Sequence, residues 1–427
     1  MAKELVVDVV NNPSLDFTAI PPRQRHPDDP DPVKKPLDLV VMLRQHNHDL
    51  LHISAIRHGQ RTPKNGTPNA YLTVSTSEIL QAAARLRIAW RDRLVRYQPC
   101  DADGMPVGDR PFTAGVNLSD RAVLSRRLTD DLADEGQYVL ERLLAGTDHQ
   151  IAAFRAFLIG TLAGEEGLRV TFDSDLHLPW PMLAVELPSG QEPCHGFLGY
   201  RHQIEQSGAL GYRTTYMEAT GHPFPVTSLN TDSTLDTVGR APDVRKLLEE
   251  RSQLTVRTDS ETLLDDLTAP VLHDDVMYFW CHGAFVDNGS PHPHLAVRLS
   301  DSQPIDADLV MRKRRRHWGS TDALFRPFVL LNACHTGRTA PEPGLQHLGG
   351  ALVNLGADGV LGPQIEIPQL FASEYAFAFL DRYLSGESTA GEIAMALVRQ
   401  YADQFHNPLA LTYSLYCGID SRLEATA

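Results

Sequence analysis

The chain is poor in cysteine, and no two of its cysteines stand in a CxxC spacing. The five, Cys100, Cys194, Cys281, Cys334 and Cys417, are odd in number and scattered over 427 residues. That argues against a disulfide framework or a thiolate zinc site and fits reduced thiols in a cytoplasmic protein. Long apolar runs are missing too: none approaches the roughly 18 residues of a membrane helix. Met1 to Asp8 lack the apolar core and small-residue cleavage site of a signal peptide. Basic charge is in deficit, with 39 Lys and Arg against 54 Asp and Glu, a net charge of −15. Phosphate surfaces repel such a chain, so direct nucleic-acid binding and attachment to anionic membrane are not expected. What is there is ordinary for a globular protein, 42% hydrophobic and 22% charged, and long enough for two or three domains.

The pattern of elements is α/β. Leu5 to Val10, Leu39 to Leu43 and Leu50 to Ile56 have strand composition, and Pro21 to Pro32 reads as a linker or extended arm. Ser75, with Glu78 three residues on, makes a capping box. The helix it opens has Ile79, Ala83, Leu86, Trp90 and Leu94 on one face. Further helix is expected from Leu118 to about Leu162, with a break near Gly146. Residues 1–165 are therefore expected to form a smaller mixed α/β or α-rich module, a candidate for sensing or docking an activating partner. Over residues 166–427 short apolar strands alternate with amphipathic helices, the pattern of a mostly parallel sheet flanked by helices.

Two of those strands end in reactive residues. Val276 to Cys281 runs into His282-Gly283, and Phe328 to Leu331 runs through Asn332-Ala333 into Cys334. As parallel neighbours they would bring a thiol and an imidazole together at the carboxyl edge, where open α/β sheets keep their sites. A thiol ionises near a pH of about 8.5, so an imidazole within hydrogen-bond reach is needed to activate it. The same imidazole then protonates a leaving amine. Gly283 lets the backbone approach a substrate, and its N–H with that of Cys334 would hold an oxyanion. Taken singly, Cys334 reads as a buried thiol and His282 as a strand-end histidine; the matched settings carry the chemistry. His335 is the poorer base, because adjacent strand residues point apart. The expected site is a Cys334–His282 dyad acting on a protein substrate, with no metal and no organic cofactor.

These blocks resemble the CHAT family, caspase-like peptidases of clan CD related to caspases and separase. The resemblance covers roughly residues 165–420 and rests on Leu178-Pro179-Trp180, Phe197-Leu198-Gly199, Phe279 to Phe285, Leu331 to Gly337, Gly356 to Gly362 and Asn407 to Tyr413. His282 precedes Cys334 by about 50 residues, the separation caspases keep. The resemblance implies a caspase-like sheet and a cysteine endopeptidase with His282 as base and Cys334 as nucleophile. It also implies a regulated protease of bacterial defence or conflict systems, switched on by a partner or fused sensor. The chain departs from the family at Gly362-Pro363-Gln364, a strand end that shapes the S1 pocket, which leaves the substrate preference open. Asp358 and Glu366 flank that strand. An acidic side chain near the sulfur would favour a basic P1 residue, and with neither facing inward an apolar P1 is expected.

Other motifs have competing readings. Cys194-His195-Gly196 repeats the tripeptide at Cys281 but follows a loop with no strand to fix it. Arg57-His58-Gly59-Gln60-Arg61-Thr62-Pro63 resembles the RHGxRxP signature of histidine acid phosphatases, but those enzymes need a later His-Asp, and His48-Asp49 lies upstream while His273-Asp274 falls in the protease pattern. A polar hairpin tip is the favoured reading, since Pro63 to Gly66 is a turn signal. Arg312-Lys313-Arg314-Arg315-Arg316 is the densest charge in the chain and lies between base and nucleophile. It reads as a solvated loop, a contact for an acidic partner or RNA, or a processing site of the kind caspase-like zymogens carry. The rival of a different class is a catalytically idle interaction module that keeps the fold.

Overall fold

A computed structural model of the chain describes residues 36–47, 50–59, 67–164, 167–207, 224–286, 294–314, 325–335 and 345–423. Among the described residues one sheet holds thirteen strands. They are β1 Leu39–Asn47, β2 Leu50–Arg57, β3 Asn69–Leu72, β4 Arg169–Ser174, β5 Gln203–Ser207, β6 Val226–Thr231, β7 Gln253–Arg257, β8 Val276–Val286, β9 His294–Arg298, β10 Pro304–Ile305, β11 Phe328–His335, β12 Gly359–Pro363 and β13 Tyr413–Tyr416. Their order is β10-β9-β8-β11-β12-β13-β5-β4-β1-β2-β3, with β7 and β6 also reaching β8. β7, β6, β8, β11 and β12 are parallel. β12 meets β13 antiparallel, so β13, β5, β4 and β1 form a second parallel group of opposite sense. The sheet is mixed but mostly parallel and lies among helices, as the alternation of elements led one to expect.

β8, eleven residues long, organises the site half. One partner strand does not cover it. β6 pairs with Val276 to Trp280, and β9 takes the same side from His282 to Val286. The neighbour thus changes between Trp280 and His282. β8 and β11 are buried on both faces, which is why each reads as a continuous apolar run. Val276, Tyr278, Trp280, Phe328 and Leu330 enter one core cluster, and Met277, Phe279, Cys281, Val329, Leu331 and Ala333 enter the other.

The helices form where the local chemistry marks them. Both bonds of the Ser75–Glu78 capping box are present at the start of helix Thr76–Trp90, and Leu94 continues its buried face in a π-helical turn. The helical stretch expected to break near Gly146 is the pair Ala122–Leu143 and His149–Gly164, parted where Gly146 takes φ 144°. A second capping box, Thr389 with Glu392, opens helix Ala390–Phe405, which His406 ends in the left-handed conformation. The Leu178-Pro179-Trp180 and Phe197-Leu198-Gly199 blocks pack on each other. A side chain at Gly199 would meet Pro181 Cβ at 2.7 Å, and the Leu198 amide donates to the Leu183 carbonyl at 2.8 Å.

The stretch from Pro36 belongs to the same compact unit as the rest, Pro36–Ala427. β1 lies in register beside β4, Leu39 opposite Val170, and the buried Arg87 of the first helix donates to Gln364 beyond β12. Asn407, from the tail block, is fully buried and donates to the Val116 carbonyl at 2.9 Å. Residues 36–164 therefore share the sheet and core of the remainder, across the boundary expected near residue 165. The strand expected at Leu5 and the Pro21–Pro32 arm lie outside the described residues.

Candidate active site

The parallel pairing of β8 with β11 sets Phe328 opposite Val276 and runs without a shift to Cys334 opposite His282 and His335 opposite Gly283. The two strand ends join as the sequence pattern requires. Gly283 is buried and lies between His335 on one side and Val297 of β9 on the other.

The His282 side chain is 27% exposed, and its Nε2 lies 3.6 Å from Oδ2 of Asp232, itself largely buried. That is longer than a hydrogen bond, so the carboxylate faces the ring edge without bonding to it. Asp232 follows β6 and caps the short turn Ser233–Leu235. Its Oδ1 accepts from the Thr234 amide and the Thr234 hydroxyl, both at 2.9 Å, and its own amide donates to the Trp280 carbonyl at 3.0 Å. The carboxylate is therefore fixed before any substrate arrives. The other ring nitrogen of His282, Nδ1, is buried with no hydrogen-bond partner among the described residues. Asp232 escaped the sequence reading. The signal was Val226 to Thr231, a β-branched run alternating with polar residues and ending on an acid.

One alternation back along each strand, a buried side chain locks the strand end. Trp280 donates through its indole to the Leu235 carbonyl at 3.0 Å, tying β8 to the turn that Asp232 caps. Asn332 donates to the Ala372 carbonyl at 3.0 Å and accepts from the Tyr413 hydroxyl at 2.8 Å. Asn332 and Trp280 are themselves opposite one another.

The remaining expected residues lie elsewhere. Asp358 precedes β12 at the end that pairs with Phe328, so strand rise alone puts it about 20 Å from Cys334, at the opposite edge. It is exposed there and does not line a pocket beside the pair. Glu366 follows β12 at the correct edge, but Arg96 neutralises it at 3.3 Å. In the basic run, Arg312 to Arg314 are helical, not loop, in the helix Ala307–Arg314. Arg314 is buried and donates to the Leu267 carbonyl at 2.7 Å and the Ala269 carbonyl at 3.0 Å, with its guanidinium over Phe325. Arg315 and Arg316 lie outside the described residues. His58 is exposed beyond β2, at the other margin of the sheet, and Gln60 to Pro63 of that motif are not described.

The other cysteines are placed for packing. Cys281 is buried in the cluster on the face away from His282. Burial, then the carboxylates of Asp403 and Glu192, push the Cys194 thiol up to about 12. Burial, then Glu205, Asp358 and Asp173, raise Cys417 to about 12 as well. A cleft of about 640 Å³ lined by Arg382, Glu392, Arg399 and Asp403 takes no residue from β8 or β11. No helix of the described residues is long and apolar enough to cross a membrane.

No protein-family profile matches the chain. A curated protein of Vitiosangium sp. (strain GDMCC 1.1324), named "Probable protease", is 30% identical over 138 residues, which is 32% of this chain and 17% of that protein. The chain thus spans a small part of the length of that relative. Two crystal structures of the Saccharomyces cerevisiae separase–securin complex align with 89% of this chain and 30% of theirs. Their TM-scores are 0.44 and 0.45, at 11% and 10% sequence identity.

Proposed function

We propose that the chain is a cysteine endopeptidase of the CHAT, caspase-like type, cleaving a protein partner through Cys334 and His282. The observation that carries this is the register: Cys334 and His282 are opposite each other at the carboxyl edge of two parallel strands. With Asp232 at Nε2, the neutral imidazole keeps its proton on that nitrogen and presents the Nδ1 lone pair as base. His282 takes the thiol proton and the thiolate bonds to the peptide carbonyl carbon. The amides of Gly283 and Cys334 hold the oxyanion. As the C–N bond breaks, His282 returns the proton to the leaving amine. Water, deprotonated by the same imidazole, then hydrolyses the thioester. The name of the Vitiosangium relative supports a protease. The role in a bacterial defence system, with a partner or sensor as trigger, rests on the resemblance of the motifs.

The test is covalent labelling. A peptidyl acyloxymethyl ketone is expected to modify Cys334, as read by mass spectrometry of the digested protein, and His282→Ala is expected to abolish the adduct. Absence of the adduct in the wild type, both alone and in lysate of its own cell, would sink the peptidase and leave the idle interaction module. Phosphate-ester hydrolysis that survives Cys334→Ala and is lost in His58→Ala would instead revive the phosphatase.

A further inference from the structure

One cation beside the pair has a buried donor with no partner among the described residues. At His282 the neighbour of β8 becomes β9, and Arg298 of β9 is directly opposite His282. Directly opposed residues of an antiparallel pair have their Cβ atoms about 5 Å apart on one face. Packing fixes the face: Val297 and Leu299 enter the cluster that takes Phe279 and Cys281, so Arg298 between them turns to the side of Trp280 and His282. Arg298 is half-buried, and its Nε is buried with no hydrogen-bond partner among the described residues. Asp232, the acid at the end of β6, is engaged by His282 and Thr234 instead. Buried guanidinium donors almost always have an acceptor. The surrounding walls are already set, because Ser300, two residues beyond Arg298, accepts from the Ser233 amide at 2.9 Å.

We propose that Arg298 is the specificity residue of the dyad, taking the carboxylate of an Asp or Glu on the leaving-group side of the scissile bond, at the first or second residue after it. The order of strands gives the side. β11, β8 and β9 carry Cys334, His282 and Arg298 in that sequence across the sheet. The thiolate attacks the carbonyl carbon, and the imidazole hands its proton to the departing nitrogen. Substrate residues beyond that nitrogen therefore extend past His282, away from Cys334, toward Arg298. A guanidinium offers a carboxylate two parallel N–H donors, which makes the match directional as well as electrostatic. This assignment rests on the dyad reading, and it puts the charge selection near the pair in a basic residue, in place of the acids Asp358 and Glu366.

The experiment is a proteome-derived peptide library digested with wild type, Cys334→Ala, Arg298→Lys and Arg298→Glu. The new N-termini, sequenced by mass spectrometry, read the residues after the cut directly. Expected is enrichment of Asp or Glu at the first or second residue of the Cys334-dependent termini. Matched synthetic peptides are expected to differ about tenfold in kcat/KM in favour of the acid, the scale of a charge-assisted hydrogen bond. Arg298→Lys, which keeps the charge and serves as the folding control, is expected to retain most of the preference, and Arg298→Glu to invert it toward Lys and Arg. Cys334-dependent cleavage without acidic enrichment, or with the same profile in Arg298→Glu, would overturn the role of Arg298 and leave the dyad standing. Cleavage no greater than in Cys334→Ala would remove the dyad itself, and the proposal with it.

Discussion

Asn332 of β11 stands opposite Trp280 of β8, one alternation behind the Cys334–His282 pair. Each is buried and each spends its polar atoms on a different neighbour: Trp280 on the Leu235 carbonyl, Asn332 on Ala372 and Tyr413. Both strand ends are thus held on one face of the sheet, the face that carries Tyr278 and Leu330.

Asn332→Ala is expected to leave the Ala372 carbonyl and the Tyr413 hydroxyl without their buried partner. Each unsatisfied group costs about 1–3 kcal/mol. Urea unfolding followed by circular dichroism is the check, and a midpoint equal to the wild type would remove Asn332 as the lock on β11.

Asp232→Asn keeps an oxygen for Thr234 but removes the carboxylate charge that faces Nε2 of His282. Alkylation of Cys334 by iodoacetamide at neutral pH is expected to slow by about tenfold or more. Asp232→Ala should show the same slowing plus the loss of a helix-turn cap, about 1 kcal/mol of stability. Unchanged rates in both variants would take Asp232 out of the site.

The thiols of Cys194 and Cys417, raised to about 12, stay protonated in the folded protein where a free cysteine ionises. Alkylation at pH 8 is expected to spare both, as well as the buried Cys281. The sign for stability follows. Above the unfolded value of about 8.5 the unfolded chain loses these protons first, so stability falls with rising pH by up to about 1.4 kcal/mol per pH unit per thiol. The contribution is fully present below that pH and is lost as pH climbs toward the folded value. Unfolding of Cys194→Ala/Cys417→Ala protein between pH 8 and 10 should show a flatter slope, and an unchanged slope would contradict the upward shift of the two thiols.

Arg314→Ala is expected to destabilise by about 1–3 kcal/mol, because the Leu267 and Ala269 carbonyls lose a buried donor. Arg312→Ala and Lys313→Ala, on the exposed side of the same helix, should stay within about 0.5 kcal/mol. Thermal melts of the three variants separate the structural arginine from the surface ones.

By itself the sequence determined the elements and the two candidate strand ends. Val276 to Cys281 and Phe328 to Leu331 are apolar on both faces, a pattern that only a strand inside a covered parallel sheet needs. Their terminal His and Cys were legible for the same reason. Capping at Ser75 and Thr389 was local, so it too was written in the chain. Only the tertiary structure decided which other side chains meet the pair. Asp232 lies at Nε2 of His282 from the end of β6 and Arg298 is opposite His282 on β9, because β8 outruns one neighbour and takes another, and no sequence spacing encodes that exchange. Asp358 and Arg314 show the converse. Their charge was visible, but the direction of β12 set one at the far edge, and three backbone carbonyls drew the other inside.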